Sequence, residues 1–338
     1  MRHHPSHLSH AWDRRQFLQA ASALGLAGAV PAVEAAEPPP ETKRIRLFRY
    51  PSFDVACLSP MWIAEELLRA EGFDDVRYVP LTTPTDIDMV SAGQVDLMQT
   101  DIFAILPALD SGKPVVALGG IHGGCYELFG TPGLRSVRDL KGKKVAVSNV
   151  GRRAFVAAMA SHVGLDPRKD ITFVESWEGV RLLADGKVDA VLGFPPEPQL
   201  MRARKIGVSI VNTATDRPWS QYFCCMAIGH REFVAKHPVA TKRALRALVK
   251  AADICAAEPE RTARTLVDRG FLKDYENSVQ SLRDIPYKRW REYDSADSLR
   301  FYALRLHEAG LVKSSPQKLL AAGTNWQFIE QIKRELKS

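Results

Sequence analysis

Several features that mark common protein classes are missing from this chain of 338 residues. No stretch offers the about 20 strongly apolar residues that a membrane-spanning helix needs. No run of Lys and Arg is dense enough to indicate a nucleic-acid surface. There is also no G-x-S-x-G nucleophile turn and no phosphate-binding loop. These absences argue against a membrane anchor, a nucleic-acid-binding protein, a serine hydrolase and a P-loop enzyme.

Cysteine is scarce, and its spacing predicts no metal site. The chain has five cysteines, at positions 57, 125, 224, 225 and 255. No C-x-x-C or His-x₃-His pair is present to indicate zinc. In an oxidising compartment an odd number leaves at least one thiol unpaired. A disulfide between Cys57 and Cys125 stays open, whereas a bond between the adjacent Cys224 and Cys225 would be strained.

What is present indicates a globular protein with two domains. Apolar residues make up 46% of the chain and charged residues 25%, with a modest net charge of +7. The two signs of charge are interspersed, which is typical of a folded protein and not of a disordered one. A chain of this length can bury two medium-sized cores.

Residues 1–35 predict a twin-arginine (Tat) signal peptide. Arg14 and Arg15 precede an uncharged stretch, rich in Ala and Gly, from Phe17 to Val33. No cysteine occurs before Cys57, so we expect no lipid on the new N-terminus. The sequence therefore predicts an exported periplasmic protein without a lipid anchor, starting with a linker over residues 36–43.

From residue 44 onwards, short apolar runs alternate with helical patterns in two matching series, which predicts α/β units with parallel strands. "AGQVDLM" in the first series corresponds to "DGKVDAVL" in the second, with Gly93 and Gly186 as helix C-caps. Residues 230–338 are helical by periodicity. We expect lobe I to comprise residues 44–128 plus 226–338, and lobe II residues 129–225. The chain would cross between the lobes twice.

The segments "SAGQVDLM", "DLKGKKVAV", "LADGKVDAVLGFPPEP" and "FVAKHPVATKRALRALVKA" resemble the substrate-binding proteins of ABC importers. The resemblance is greatest to the branch of nitrate, taurine, aliphatic-sulfonate and thiamine-pyrimidine binders. It implies a type II periplasmic-binding fold, with two α/β lobes, a ligand cleft between them and two hinge crossings. It also implies a non-catalytic monomer that needs no cofactor. Such a protein captures a sulfonate, a nitrate-like anion or a pyrimidine or amine compound and delivers it to membrane permease subunits.

Two alternatives stay open at the level of sequence. Thiamine-pyrimidine synthases share this fold, and the resemblance to them implies a cysteine-rich motif, iron and a lysine-bound pyridoxal phosphate. Here "YFCCM" (222–226) matches such a motif only in part, and no lysine lies between residues 50 and 60. The other alternative is a sensor that reports a solute to a membrane receptor.

Candidate ligand contacts are the residues just beyond strand ends, because the carboxyl ends of parallel strands carry the ligand site. The turn "SNVGRR" (148–153) is the sharpest of them, because it opens a helix with two arginines that suit an anion. Asp101 is also a candidate N-cap of the following helix. The predicted ligand-binding residues are Phe53, Asp54, Cys57, Thr83, Thr100, Asp101, Tyr126, Ser148, Gly151, Arg152, Arg153, Trp177, Phe194, Glu197 and Trp219.

Overall fold

The computed structural model describes residues 37–50 and 54–337. The predicted signal peptide and Phe53 lie outside the described residues. Four strands belong to the first part of the chain: β1 (Arg44–Arg49), β2 (Asp75–Pro80), β3 (Leu97–Asp101) and β4 (Val115–His122). Six more follow: β5 (Glu127–Gly130), β6 (Lys143–Val147), β7 (Ile171–Glu175), β8 (Ala190–Gly193), β9 (Val208–Asn212) and β10 (Cys225–His230).

These strands form three sheets: a two-stranded and a three-stranded sheet in lobe I, and a five-stranded sheet in lobe II. In lobe I, β1 pairs in parallel with β2, while β10 lies between β3 and β4 and is antiparallel to both. In lobe II the order is β7-β6-β8-β5-β9, with β6 parallel to its neighbours and β5 antiparallel to β8 and β9. The mixed α/β architecture with two connections between the lobes confirms the predicted fold class.

The repeated Gly-x-Val-Asp turn performs the same task in both lobes. Gly93 and Gly186 adopt φ values of 67° and 68°, the left-handed region that glycine reaches without strain. The Asp96 N–H donates to the carbonyl of Arg46 (2.9 Å), and the Asp96 carboxylate accepts from the Arg46 N–H (2.7 Å). Asp189 makes the same two bonds to Lys144, both at 2.8 Å. Each aspartate therefore joins the first and third strands of its lobe.

One strand in each lobe, at the crossing between the lobes, runs antiparallel to both of its neighbours. β5 follows the first connection between the lobes, and β10 follows the second. A chain that has just left the other lobe enters the new sheet from the end where the parallel strands finish. It therefore inserts in the opposite direction, antiparallel to both of its neighbours.

Helices connect the strands and form most of the last third of the chain, as the periodicity predicts. In order they are α1 (Ser59–Ile63), α2 (Glu65–Ala70), α3 (Asp86–Ser91), α4 (Ile102–Asp110), α5 (Val150–His162), α6 (Gly179–Ala184), α7 (Glu197–Arg204), α8 (Arg231–Lys236), α9 (Pro238–Ala257), α10 (Pro259–Asp268), α11 (Tyr275–Asp284), α12 (Ser295–Glu308), α13 (Pro316–Gly323) and α14 (Gln327–Glu335). Short 3₁₀ turns add Ala56–Leu58, Val137–Leu140, Trp219–Gln221 and Tyr287–Arg291.

The C-terminal helices pack against lobe I. Ile329 of α14 lies so close to β4 that a Cβ on Gly119 would come within 2.9 Å of it. Helix α9 buries Ala240, Ala244, Ala247 and Ala251 on one face, and these small residues allow a close approach to neighbouring elements. Among the described residues, no helix combines the length and the apolar character that crossing a membrane requires.

The two connections between the lobes run side by side. The first covers residues 123–126 and the second leads from the 3₁₀ turn Trp219–Gln221 into β10. The carbonyl of His122 accepts from the Cys224 N–H (3.1 Å), and Tyr126 and Thr213 bond reciprocally through their backbones and the Thr213 hydroxyl. A Cβ on Gly124 would lie 2.0 Å from the Thr213 carbonyl oxygen, so only glycine fits there.

Candidate functional site: the Arg152 pocket and the thiol cluster

Arg152 is a buried cation at the start of lobe II's longest helix. Asn149 caps α5 by accepting a hydrogen bond from the Arg152 N–H (3.0 Å), which fixes the first turn. The side chain is only 7% exposed, and its guanidinium carbon lies 3.3 Å from the ring centre of Phe194. The Nε and Nη1 atoms of Arg152 are buried and have no hydrogen-bond partner. Buried, unpaired guanidinium donors are costly, and an anionic acceptor would satisfy them.

Carboxyl groups of both lobes surround this cation. We use "Arg152 pocket" for Arg152 together with Tyr50, Asp86, Asp101, Phe194 and Glu197. The charge of Arg152 acts on Tyr50, Asp101 and Glu197, and Asp86 is bound to Tyr50 and Thr100. Lobe I contributes the two aspartates and the tyrosine. Lobe II contributes the cation, the aromatic face and the glutamate.

The environment of the Arg152 pocket raises the pKa values of its carboxyl groups. Burial, followed by the nearby charge of Asp86, raises the pKa of Asp101 to about 7. Burial likewise raises the pKa of Glu197 to about 6, although Arg152 opposes the rise. The pKa of Asp86 is also raised by burial. Near neutral pH the Asp101 carboxyl can therefore donate as well as accept hydrogen bonds.

Asp101 combines two roles. It is the N-cap of α4, as predicted, and its carboxylate accepts from the N–H groups of Phe103 (2.9 Å) and Ala104 (3.0 Å). The same oxygen would lie 3.7 Å from a Cβ on Gly151, so the cap also faces the first turn of α5. The N-terminal turns of α4 and α5 therefore meet at the pocket. Within the same two turns and the residues after them, the rings of Phe103 and Phe155 stack with their centres 4.1 Å apart.

Several predicted contacts lie elsewhere. Arg153 is exposed and pairs with Glu175 (3.4 Å) over the ring of Phe173, so it belongs to the surface of lobe II. Trp219 is 3% exposed and packs into an aromatic core with Phe155. For Arg153 the reason is helical periodicity, because neighbours one position apart on a helix point to different sides.

The remaining predicted residues divide between the pocket, the loops and the interior. Thr100 donates to Asp86 (2.9 Å), and Trp177 lies 5.2 Å from the Arg152 guanidinium, half exposed at 49%. Ser148 has a buried hydroxyl without a hydrogen-bond partner. Thr83 bonds to Thr85 in its own loop and Asp54 accepts from the N–H groups of Lys273 and Asp274, so both lie outside the pocket. Tyr126 is buried against Phe155 and lies beside the pocket, where the charges of Asp101 and Arg152 act on it.

An ion-pair bridge joins the lobes beside the first connection. Arg202 of α7 pairs with Glu127 of β5 and also with Asp284 of α11. Gln199 donates to the same Asp284 carboxylate at 3.0 Å. The bridge therefore connects lobe II to a helix of the C-terminal third.

Cys57, predicted as a ligand contact in the cleft, lies instead in a cluster of sulfur and imidazole groups. We use "thiol cluster" for Cys57, His122, Cys125 and Cys225. One ligand atom of each lies within 4.8 Å of all the others, and all four residues are buried. The Cys224 sulfur lies 3.4 Å from that of Cys125. All five cysteines of the chain are free thiols in the structure, so Cys57 and Cys125 are not bonded to each other.

The thiols of the cluster influence one another's acidity. Interactions with Cys125 and Cys225 hold the pKa of Cys57 well below the ordinary thiol value. Burial raises the pKa of Cys125, and contact with its neighbours raises that of Cys225. One member of the cluster is therefore readily deprotonated, and the others supply hydrogen bonds to its negative charge.

Reasoning from the sequence missed the thiol cluster because its ligands come from three distant segments. The one local signal was His122-Gly-Gly-Cys125, a pair with chelating spacing that differs from the C-x-x-C and His-x₃-His patterns. Tyr50 and Asp86 were also missed as members of the pocket. They lie at the end of β1 and the start of α3, and only the pairing of lobe I's elements brings them to Asp101.

Comparison with known proteins places these features in a family. The chain is similar to the 4-amino-5-hydroxymethyl-2-methylpyrimidine phosphate synthase THI5 of Saccharomyces cerevisiae, with 24% identity over 250 residues, 69% of this chain and 71% of that protein. In structure it is similar to the periplasmic nitrate-binding protein NrtA from Synechocystis PCC 6803, with a TM-score of 0.73 and 14% identity over 89% of this chain and 90% of that one.

A second solved structure supports the same fold. The alkanesulfonate-binding protein SsuA from Xanthomonas axonopodis pv. citri, bound to MOPS, gives a TM-score of 0.66 at 18% identity, covering 86% of this chain and all of that one. Such likenesses establish the periplasmic-binding-protein fold. The model of the family described as "NMT1/THI5 like" matches residues 68–262, more than half of the sequence. The chain is a member of the NMT1/THI5-like family.

Proposed function

We propose that this protein is an extracytoplasmic solute-binding protein that clasps a small organic anion between its two lobes and delivers it to an ABC permease. One observation carries the proposal: Arg152 is buried between the lobes with two guanidinium nitrogens unpaired. A sulfonate, carboxylate or nitrate-like group would satisfy those donors with charge-assisted hydrogen bonds. Similarity in fold to nitrate- and alkanesulfonate-binding proteins supports the same reading.

The carboxyl groups of the pocket restrict the kind of anion that can bind. Asp101 and Glu197 lie on opposite lobes near Arg152, and both have raised pKa values. A solute with N–H donors next to its acidic group would pair with both kinds of side chain at once. We therefore favour an amino-substituted anion, with its apolar portion against Phe194. Closure of the two lobes around it would exclude water and strengthen these bonds.

The chain offers a matched pair of variants to test this proposal. Arg152→Gln removes the buried cation, whereas Arg153→Gln removes its exposed neighbour on the same helix. Calorimetry and thermal shift are run with taurine, alkanesulfonates, nitrate and aminopyrimidines. We expect a solute that raises the melting temperature of the native protein. Its affinity should fall about 100-fold or more in Arg152→Gln and stay within about threefold in Arg153→Gln. Equal affinity in all three proteins would overturn the proposal.

A second candidate function follows from the curated relatives, which are named as pyrimidine phosphate synthases. The resemblance to those enzymes implies a lysine-bound pyridoxal phosphate. The described residues that contact Arg152 or feel its charge are carboxyls, two tyrosines, Phe194 and Trp177, so they offer no amine for a Schiff base. The structure therefore does not fit this cofactor at the Arg152 pocket. Incubation with pyridoxal phosphate decides the matter, because an absorbance band of a Schiff base would favour the synthase.

A further inference from the structure

The thiol cluster has the composition and the compactness of a metal site. Three thiol sulfurs and one imidazole nitrogen lie within 4.8 Å of one another. In a tetrahedral zinc site with Zn–S bonds of about 2.3 Å, the ligand atoms are about 3.8 Å apart. The side chains therefore need to move by only about 1 Å to enclose an ion.

The orientation of His122 is an independent sign of a missing partner. Its Nδ1 lies 2.7 Å from the carbonyl oxygen of Gly123, and as a donor there it fixes the tautomer. The other nitrogen, Nε2, is left with a lone pair, is completely buried and has no hydrogen-bond partner. Metal-binding histidines typically donate one ring N–H to a backbone carbonyl and present the other nitrogen to the ion.

Charge favours a divalent ion over a monovalent one. Three thiolates and a neutral imidazole carry a charge of −3, so Zn²⁺ leaves −1 in the buried site whereas Cu⁺ leaves −2. Buried net charge is costly, so Zn²⁺, which leaves less net charge in the site than Cu⁺, is favoured. We propose that Cys57, His122, Cys125 and Cys225 bind one Zn²⁺ ion in a closed, four-coordinate structural site.

The location of the site gives the ion a mechanical role. His122 immediately precedes the first connection between the lobes, Cys125 lies within it, and Cys225 ends the second. Cys57 comes from the 3₁₀ turn of lobe I, where Tyr287 donates to the Ala56 carbonyl (3.1 Å). The ion would therefore link both connections to lobe I. It would hold them in a fixed position, about which the lobes bend. Four protein ligands leave no open position for catalysis.

The decisive experiment measures the metal content of the full chain purified under reducing conditions. We expect about one equivalent of zinc in the native protein, with charge-transfer and tetrahedral d–d bands after replacement by Co²⁺. Cys57→Ser, His122→Gln and Cys225→Ser should each lower zinc affinity at least tenfold. The matched control is Cys255→Ser, a completely buried cysteine outside the cluster, which should retain the full equivalent.

A measurement on the native protein is also needed, because a cluster variant that fails to fold would lose zinc for that reason alone. A zinc chelator should lower its melting temperature by roughly 5–10 °C, and Zn²⁺ but not Mg²⁺ should restore it. Failure to take up zinc after reduction, or equal uptake by the cluster variants, would overturn the proposal. So would a Cys125–Cys224 disulfide in the purified protein with no zinc uptake once it is reduced. Arg152→Gln should keep its zinc, which separates this test from that of solute binding.

Discussion

The two lobes share one frame but bring different chemistry to the pocket. In each, a glycine at positive φ leads into an aspartate that ties the third strand to the first. Beyond that frame, lobe I supplies Asp86 and Asp101, whereas lobe II supplies Arg152 with Glu197 beside it. The two lobes therefore share the hydrogen bonds that hold their strands together and differ in the loops at the strand ends. A site with complementary charges exists only where the lobes meet.

The largest effect is expected where the lobes are joined. In Gly124→Ala the new methyl group would meet the Thr213 carbonyl oxygen at 2.0 Å, a backbone atom that cannot rotate away. We expect a loss of at least about 3 kcal/mol in the free energy of unfolding, because the connection itself must shift. Urea denaturation monitored by circular dichroism measures it.

The neighbouring glycine is the control for that prediction. A methyl group on Gly123 would approach Pro286 (3.0 Å) and Tyr293 (3.2 Å), both through side-chain atoms. Because side chains can adjust, Gly123→Ala should cost only about 1 kcal/mol. Equal losses in the two variants would show that the Gly124–Thr213 contact is not what constrains the connection.

The next prediction compares the two equivalent aspartates. Asp96 is 5% exposed and also pairs with the Arg46 guanidinium (2.6 Å), whereas Asp189 is more exposed and accepts from the Lys144 N–H. Asp96→Ala should therefore cost about 3 kcal/mol and Asp189→Ala about 1.5 kcal/mol, since a lost charge-assisted bond costs more when it is buried. The difference in urea midpoints measures it. A larger loss for Asp189→Ala would contradict the assigned roles.

The pH dependence of stability depends on the Arg152 pocket. Asp101 and Glu197, with pKa values raised to about 7 and about 6, bind protons in the folded state at pH values where the unfolded chain has released them. Protonation of these two groups therefore stabilises the folded state at low pH, and their contribution to stability falls as pH rises from about 4 to about 7. Replacing Asp101 by Asn should remove about 3 kcal/mol of this pH dependence, and Glu197→Gln about 2 kcal/mol.

Thermal and urea unfolding of the solute-free protein at intervals between pH 4 and pH 8 measures both effects. Glu276→Gln, which alters an exposed carboxylate on α11, is the control and should leave the pH profile unchanged. A profile that rises with pH between 5 and 7, or one that Asp101→Asn does not flatten, would contradict the raised pKa values.

Much of the fold follows from local patterns. The glycine C-caps, the Asp101 N-cap, the alternation of strands and helices and the helical last third all depend on bonds between residues near in sequence. Arg152 was predicted because a helix start with a basic residue follows a strand end. Its neighbour Arg153, predicted together with it, lies at the surface against Glu175, because a turn motif by itself does not reveal which side of the helix faces the pocket.

By itself, the sequence determined the elements, the duplicated frame and the charged turn at residues 148–153, since each is set by interactions within a short stretch of chain. Only the tertiary structure decided the one antiparallel strand of each lobe, the burial of Arg152 among carboxyls, and the meeting of Cys57, His122, Cys125 and Cys225. These depend on where the chain crosses between lobes and returns. Contacts across such distances are fixed by packing of the whole molecule and leave no local periodic pattern.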